Sequence, residues 1–179
     1  MAVVMAAMPN SNAISRERTG VDDQTQYLTL GVENETFAVP VTAVREIIDV
    51  REIFRLPDAP PYVLGLIDVR ERSVPVVDLR LKLGFPRKEA TENTRICVLE
   101  IKIEDRTLIL GLIADRVFEV TGLDDHAIEA SPDIGVRWRS DYIKGIGRRG
   151  EKLVIVFDLP RLFSGEDVAL LAPHLALTA

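Results

Sequence analysis

Two aspartates, Asp78 and Asp158, each close an apolar run in this 179-residue chain. A pair of carboxylates is what general acid–base chemistry uses, provided the fold brings them together and separates their pKa values. Each also stands just before a leucine-containing stretch, where it can accept backbone amides as the N-cap of a short helix over 79–83 or 159–163. Capping is the better-supported reading. The remaining reactive groups are scattered. His126 follows Asp124 and Asp125, His174 lies near the end of the chain, and neither has a serine or cysteine nucleophile close in sequence. Both read as solvated surface histidines. Cys97 is the one cysteine and sits in an apolar run, where it acts as a small hydrophobe. One cysteine and two histidines make no disulfide framework and no metal-ligand spacing. There is no glycine-rich phosphate loop and no nucleophile elbow. Trp138, between Arg137 and Arg139, can anchor an interface or pack a loop onto the core. No catalysis, cofactor or metal is expected, and binding is the default class of function.

Composition points the same way. Apolar residues make up 47% of the chain and charged residues 28%, so a core can be buried. A net charge of -6, with no run of Lys and Arg, argues against nucleic acid as a partner. The apolar start, residues 1–8, is too short for a signal peptide and has no basic segment before it. No apolar run approaches the roughly 20 residues that cross a bilayer, so a cytoplasmic protein without membrane insertion is expected.

These groups need a frame. Residues 1–25 lack periodicity and read as a flexible tail. Residues 26–32 alternate as a strand, 33–35 turn, and 36–39 return. Pro40 suits a first helical position, and Val41, Val44, Ile47 and Ile48 then form one apolar helical face, predicting a two-turn helix. Strands follow over 62–69 and 73–79 around a charged turn at 70–72, with Pro75 implying an edge or a bulge. Residues 84–93 read as a polar linker. Further strands are expected over 95–103, 107–113, 142–147 and 153–158, with a loop-rich stretch over 121–140. A helical turn at 160–163 and a C-terminal helix over 166–177, broken at Pro173, complete the chain.

The strands repeat. Residues 62–79 align without a gap on residues 142–159, matching Tyr62 with Tyr142, Gly65 with Gly145, Glu71 with Glu151, Val74 with Val154, Val76 with Val156, and Asp78-Leu79 with Asp158-Leu159. A fainter echo relates Phe37–Val39 to 110–112, and Val44, Glu46 and Ile47 to Val117, Glu119 and Val120. Each half therefore carries two strands, a short helix or turn, and two more strands. A small barrel closes such a set and removes exposed sheet edges.

Residues 62–80, YVLGLIDVRERSVPVVDLR, resemble the signature of the CheW chemotaxis coupling proteins, in which an arginine–glycine turn precedes a VPVVDLR strand. VREI at 44–47, LPDAPP at 56–61, YIKGIG at 142–147 and residues 153–162 fall at that family's spacing, so the likeness covers about 26–172. It implies an all-β chain of two tandem five-stranded SH3-like β-barrels over 26–172, with short helices, a C-terminal helix, a linker near 84–93 and a C-terminal tail over 173–179. It also implies a non-enzymatic adaptor that joins the cytoplasmic helical tips of chemoreceptors to the regulatory domain of the histidine kinase CheA. Other copies of the adaptor can join in rings, in arrays at the inner face of the membrane. The receptor tip would dock between the barrels. An adaptor paralog in a non-motility pathway, or a small β-barrel enzyme or nucleic-acid binder, are the alternatives; a fragment of the kinase's regulatory domain, or an adaptor fused to a receiver domain, is disfavoured by length.

On that resemblance the receptor- or kinase-binding residues are Val41, Val44, Glu46, Ile47 and Arg70. Val41, Val44 and Ile47 face either a partner or the core. Glu46, on the opposite helical side, meets either a receptor arginine or water. Arg70 meets either a partner carboxylate or a local one, Asp68 or Glu71. Gly65, Glu71, Asp78, Gly145 and Asp158 are structural or turn positions. The family has asparagine at Asp68 and glycine at Glu71. Those two acids are expected to neutralise Arg70 in part and retune its binding, and glutamate resists the positive φ that glycine accepts.

Overall fold

The computed structural model describes residues 26–123, 140–163, 167–169 and 171. The N-terminal tail, His126, Trp138, His174, the 173–179 tail and most of the expected C-terminal helix lie outside them; Asp167, Val168, Ala169 and Leu171 are helical. The strands are β1 (Gln26–Val32), β2 (Glu35–Pro40), β3 (Val44–Asp49), β4 (Val63–Val69), β5 (Arg72–Asp78), β6 (Arg95–Ile103), β7 (Arg106–Ala114), β8 (Arg116–Gly122), β9 (Ile143–Arg149) and β10 (Lys152–Phe157). Two single-turn helices, α1 (Leu79–Lys82) and α2 (Leu159–Leu162), follow β5 and β10.

Ten strands form two five-stranded sheets, ordered β8-β1-β2-β10-β9 and β3-β6-β7-β5-β4. All described pairings are antiparallel except β2 with β10 and β5 with β7. Adding five to each strand number, and wrapping round after ten, turns one order into the other. The repeat seen in the sequence is therefore a repeat of register. Val76 faces Gly111 in one sheet, and its counterpart Val156 faces Ala38 in the other. Val44 faces Leu99, and Val117 faces Leu30. Gly65 faces Val76 and Gly145 faces Val156, each beside a register shift.

The pairing corrects two expectations. The barrels are not consecutive in sequence: the second sheet runs continuously from β3 to β7, while the first is assembled from both ends of the chain. Residues 84–93 accordingly join β5 and α1 to β6 within one sheet and do not link the barrels. Polar composition suggested a linker, yet Phe85 is buried and the Pro86 carbonyl accepts from Arg80 Nε at 3.1 Å. The chain instead crosses between sheets at a 3-10 turn, Val41–Ala43, and at Asp115.

The predicted helix after Pro40 is that 3-10 turn followed by strand β3. Burial along β3 alternates, with Val44, Glu46 and Ile48 half-buried and Arg45, Ile47 and Asp49 exposed. Five β-branched residues between Val41 and Ile48 favour an extended backbone. An outward-facing Ile47 hid the two-residue period. The "turn" echo at 117–120 is likewise a strand, β8.

Pro75 lies neither on an edge strand nor at a bulge, since β5 pairs on both sides. Leu66, opposite Pro75, donates its amide to the Phe54 carbonyl and accepts the Phe54 amide, both at 2.8 Å, so the Leu66–Pro75 pair is non-hydrogen-bonded. The proline nitrogen then points toward β7, whose pairing begins one residue later, at Val76.

Period-two burial sorts the core. Val154 and Val156 join Tyr27, Ala38 and Leu123 in a cluster made only from the first sheet's half of the molecule. Val74 and Val76 join Ile67, Val69 and Ile96 in the second sheet. The intervening Ile155, Phe157 and Val77 belong to one large cluster that unites both sheets. There Phe37 and Phe157 stack at 4.9 Å. Central strands are thus apolar on both faces, one for their own barrel and one for its neighbour.

Candidate functional site: the seams of the two barrels

β3 and β4 are the opposite edges of the second sheet. Yet Glu46 on β3 pairs with Arg70, at the β4–β5 turn, at 3.0 Å. The sheet must therefore curl until its edges meet. β8 and β9 are the opposite edges of the first sheet, and Glu119 on β8 pairs with Arg149 at the end of β9. Each seam is closed by a glutamate and an arginine; the glutamates correspond in the repeat, and Arg149 stands one position before Gly150, the counterpart of Arg70. Glu119 is the counterpart of Glu46 in the repeat, so that alignment was the signal by which this second pair could have been found.

Arg70 therefore meets neither Asp68 nor Glu71 in an ion pair but Glu46, and its side chain stays 83% exposed. Arg70 and Glu71 form the two-residue loop of the β4–β5 hairpin, with φ of 53° and 67°. A loop with both φ values positive matches the strand twist, but it forces two side-chain-bearing residues into the left-handed region. The corresponding loop uses Gly150, φ 63°, and leaves Glu151 outside that region. The repeat thus places its glycine one position earlier. Gly65 has φ 147°, and a Cβ there would lie 2.1 Å from the Phe54 carbonyl oxygen. That close approach holds Phe54 against β4.

Of the apolar candidates, Val41 and Val44 are half-buried, with Val44 packed on the inter-sheet core. Ile47 is 43% exposed, and on the matching edge strand Phe118 and Val120 are 45% and 49% exposed. Val44 and Ile47 thus do not share one face. Ile47 and Phe118 line a common hollow with Arg95, Arg116, Glu119 and Arg149. It draws on both sheets.

Asp78 and Asp158 sit at N-caps and not in a shared carboxylate site. Asp78 Oδ1 accepts the Arg80 amide at 2.9 Å, and Asp158 accepts the Arg161 amide at 3.4 Å. Their own amides donate to Tyr62 and Tyr142 carbonyls, again matching across the repeat. Burial pushes the Asp78 carboxyl up, against the lowering effect of amides from Arg80 and Leu81 and of the Arg80 charge. Burial also lifts the Cys97 thiol to about 12, which leaves it unreactive at neutral pH.

Sequence reasoning assigned Arg80 no role, although it closes the signature strand. Its side chain is 4% exposed. Its guanidinium donates to Asp115 at 2.6 Å and pairs with Glu33 at the β1–β2 turn. Burial works against its charge, but the two carboxylates outweigh it and hold the pKa above the ordinary arginine value. Asp115 also accepts the Glu33 amide at 2.9 Å. One arginine thus ties the second sheet to the crossover and to the first sheet. A second tie fixes the C-terminal segment: buried Asp167 accepts from the Tyr62 hydroxyl and from Lys82 Nζ at 2.9 Å.

Among the described residues no group of three or more His, Cys, Asp or Glu is placed to hold a metal, and no helix is long and apolar enough to cross a membrane.

Comparison with known proteins agrees with this geometry. Residues 26–167 match the CheW-like domain family. The chain is 27% identical over 166 residues to a chemotaxis protein CheW of Klebsiella aerogenes, covering 93% of this chain and 95% of that one. It is 30% identical over 137 residues to the chemotaxis protein CheW of Bacillus subtilis, covering 76% and 85%. The crystal structure of the scaffolding protein TtCheW from Thermoanaerobacter tengcongensis superposes with a TM-score of 0.69 at 25% identity, covering 80% of this chain and 95% of that one.

Proposed function

The chain belongs to the CheW-like domain family of non-enzymatic scaffolds, and on that premise we propose that it couples chemoreceptors to the histidine kinase CheA in chemotaxis signalling. It works in the cytoplasm, at receptor arrays on the inner face of the membrane. The module runs over 26–172. The receptor's helical tip lays its apolar anchors into the hollow between the barrels, and the kinase's regulatory domain packs against a barrel end.

The observation that carries this reading is the β3 seam. There an exposed arginine and an exposed isoleucine stand beside a half-buried glutamate on a sheet edge that no other strand covers among the described residues. A helix docks in a groove through such apolar anchors, and a guanidinium at a turn can leave a weak exposed pair for a partner carboxylate. Half-buried Val41 and Val44 hold the start of β3, Val44 against the inter-sheet core, and Glu46 orients Arg70.

The test is reconstitution of receptor, kinase and this chain, reading kinase autophosphorylation with and without attractant. The chain should restore receptor control, and Arg70→Ala should remove it while the fold stays intact. Failure of the wild-type chain to bind receptor and kinase would overturn the proposal.

A further inference from the structure

We infer that the hollow between β3 and β8 selects a partner helix whose apolar anchors are flanked by carboxylates. This rests on the docking reading above and adds the chemistry of the occupant. The hollow's floor offers Ile47 from one sheet and Phe118 from the other, both large, apolar and exposed. Its rim is set by three arginines, Arg95, Arg116 and Arg149, against one carboxylate, Glu119. That is an excess of positive charge within this hollow, on a chain whose net charge is -6; Arg116 and Phe118 also border a second hollow that carries Glu33, Glu35, Glu89, Glu92 and Asp115.

The three arginines differ in how far they are already engaged. Arg149 pairs with Glu119, and Arg95 pairs with Asp49 at 3.4 Å, a carboxylate that is 87% exposed. Arg116 makes no ion pair among the described residues; its guanidinium lies 6.0 Å from the Phe118 ring. It is therefore the cation left to meet a ligand's charge, held beside the aromatic anchor that the ligand's apolar face would cover. Burying Ile47 and Phe118 excludes water, and exclusion of water strengthens the charge pairs at the rim. A lysine-flanked helix of equal apolarity would meet like charge at the same places. The apolar floor supplies adhesion, and the arginines choose among helices.

The experiment uses the full chain and a receptor hairpin tip that binds it in the coupling assay, with affinity measured by calorimetry. Arg116→Glu should weaken binding about tenfold, and neutralising the tip's flanking acids to glutamine should weaken it by a similar factor. The two changes together should cost little more than one alone. Raising salt from about 50 to 500 mM should shrink the wild-type advantage. If Arg116→Glu binds within about twofold of wild type while Ile47→Asp abolishes binding, the docking surface stands and the charge selection is wrong. If no receptor tip binds the wild-type chain, the coupling reading falls and this inference with it.

Discussion

At Glu71 the backbone φ of 67° puts a glutamate where a glycine would be unstrained. A left-handed side-chain residue costs about 1–2 kcal/mol, part of which glycine returns through greater freedom in the unfolded chain. Glu71→Gly should therefore stabilise the protein by roughly 0.5–1 kcal/mol, read as a higher urea midpoint with an unchanged slope. Gly65 runs the other way. Its φ of 147° and the Phe54 carbonyl 2.1 Å from a would-be Cβ leave no room, so Gly65→Ala should lower the midpoint sharply. Asp78 adds a pH dependence. Its folded pKa is raised, chiefly by burial, so the native state binds the proton more tightly than the unfolded chain. Its contribution is then fully present below the unfolded value, 3.8, and is lost as pH rises through the folded value. Asparagine keeps a cap acceptor and removes the charge, so Asp78→Asn should flatten the fall in stability that begins near 3.8 and ends at the folded value; an unchanged slope in pH-resolved urea melts would contradict this.

The edge strands β3 and β8 are where sequence reading and fold part company. Their exposed hydrophobes, Ile47, Phe118 and Val120, break the alternation that marks a strand, and the break made β3 resemble a helix. Interior strands such as β1, β6 and β10 were legible because nothing but packing acts on them. Pattern and fold disagree where the surface is left apolar, the face that the proposed docking would cover. The consequence is measurable. Phe118→Asp should leave thermal stability nearly unchanged, as exposed substitutions generally stay within about 0.5 kcal/mol, while receptor-tip binding is lost. A large drop in melting temperature would instead make Phe118 a packing residue.

Across the whole molecule, the two barrels share a core, and Arg80 joins them through charge. Removing one member of a buried ion network leaves the others uncompensated, at a cost of about 3–5 kcal/mol. Arg80→Met takes the buried cation away from Glu33 and Asp115, which are 36% and 21% exposed and so partly solvated; it should still lower the urea midpoint more than Arg70→Ala, whose guanidinium is exposed. Pairing Arg80→Met with Glu33→Gln and Asp115→Asn should recover part of that loss; no recovery would mean that packing, and not charge, is what Arg80 supplies.

Residue types alone carried eight of the ten strands in outline and the duplication, because each is a local property of spacing or alphabet. They also tied Asp78 to Asp158 and Gly65 to Gly145, since copied segments keep their local geometry. Strand partners were another matter. Two segments of equal pattern can pair with their own copy or with the other, and only the packed structure shows that β1 and β2 complete the barrel of β8, β9 and β10. That exchange turned the supposed linker at 84–93 into a loop within one sheet. Curling of each sheet brought Glu46 to Arg70 and Glu119 to Arg149, and packing of one sheet on the other brought Arg80 to Glu33. Pairs this far apart in sequence arise from closure of the chain in space, which no short-range pattern encodes.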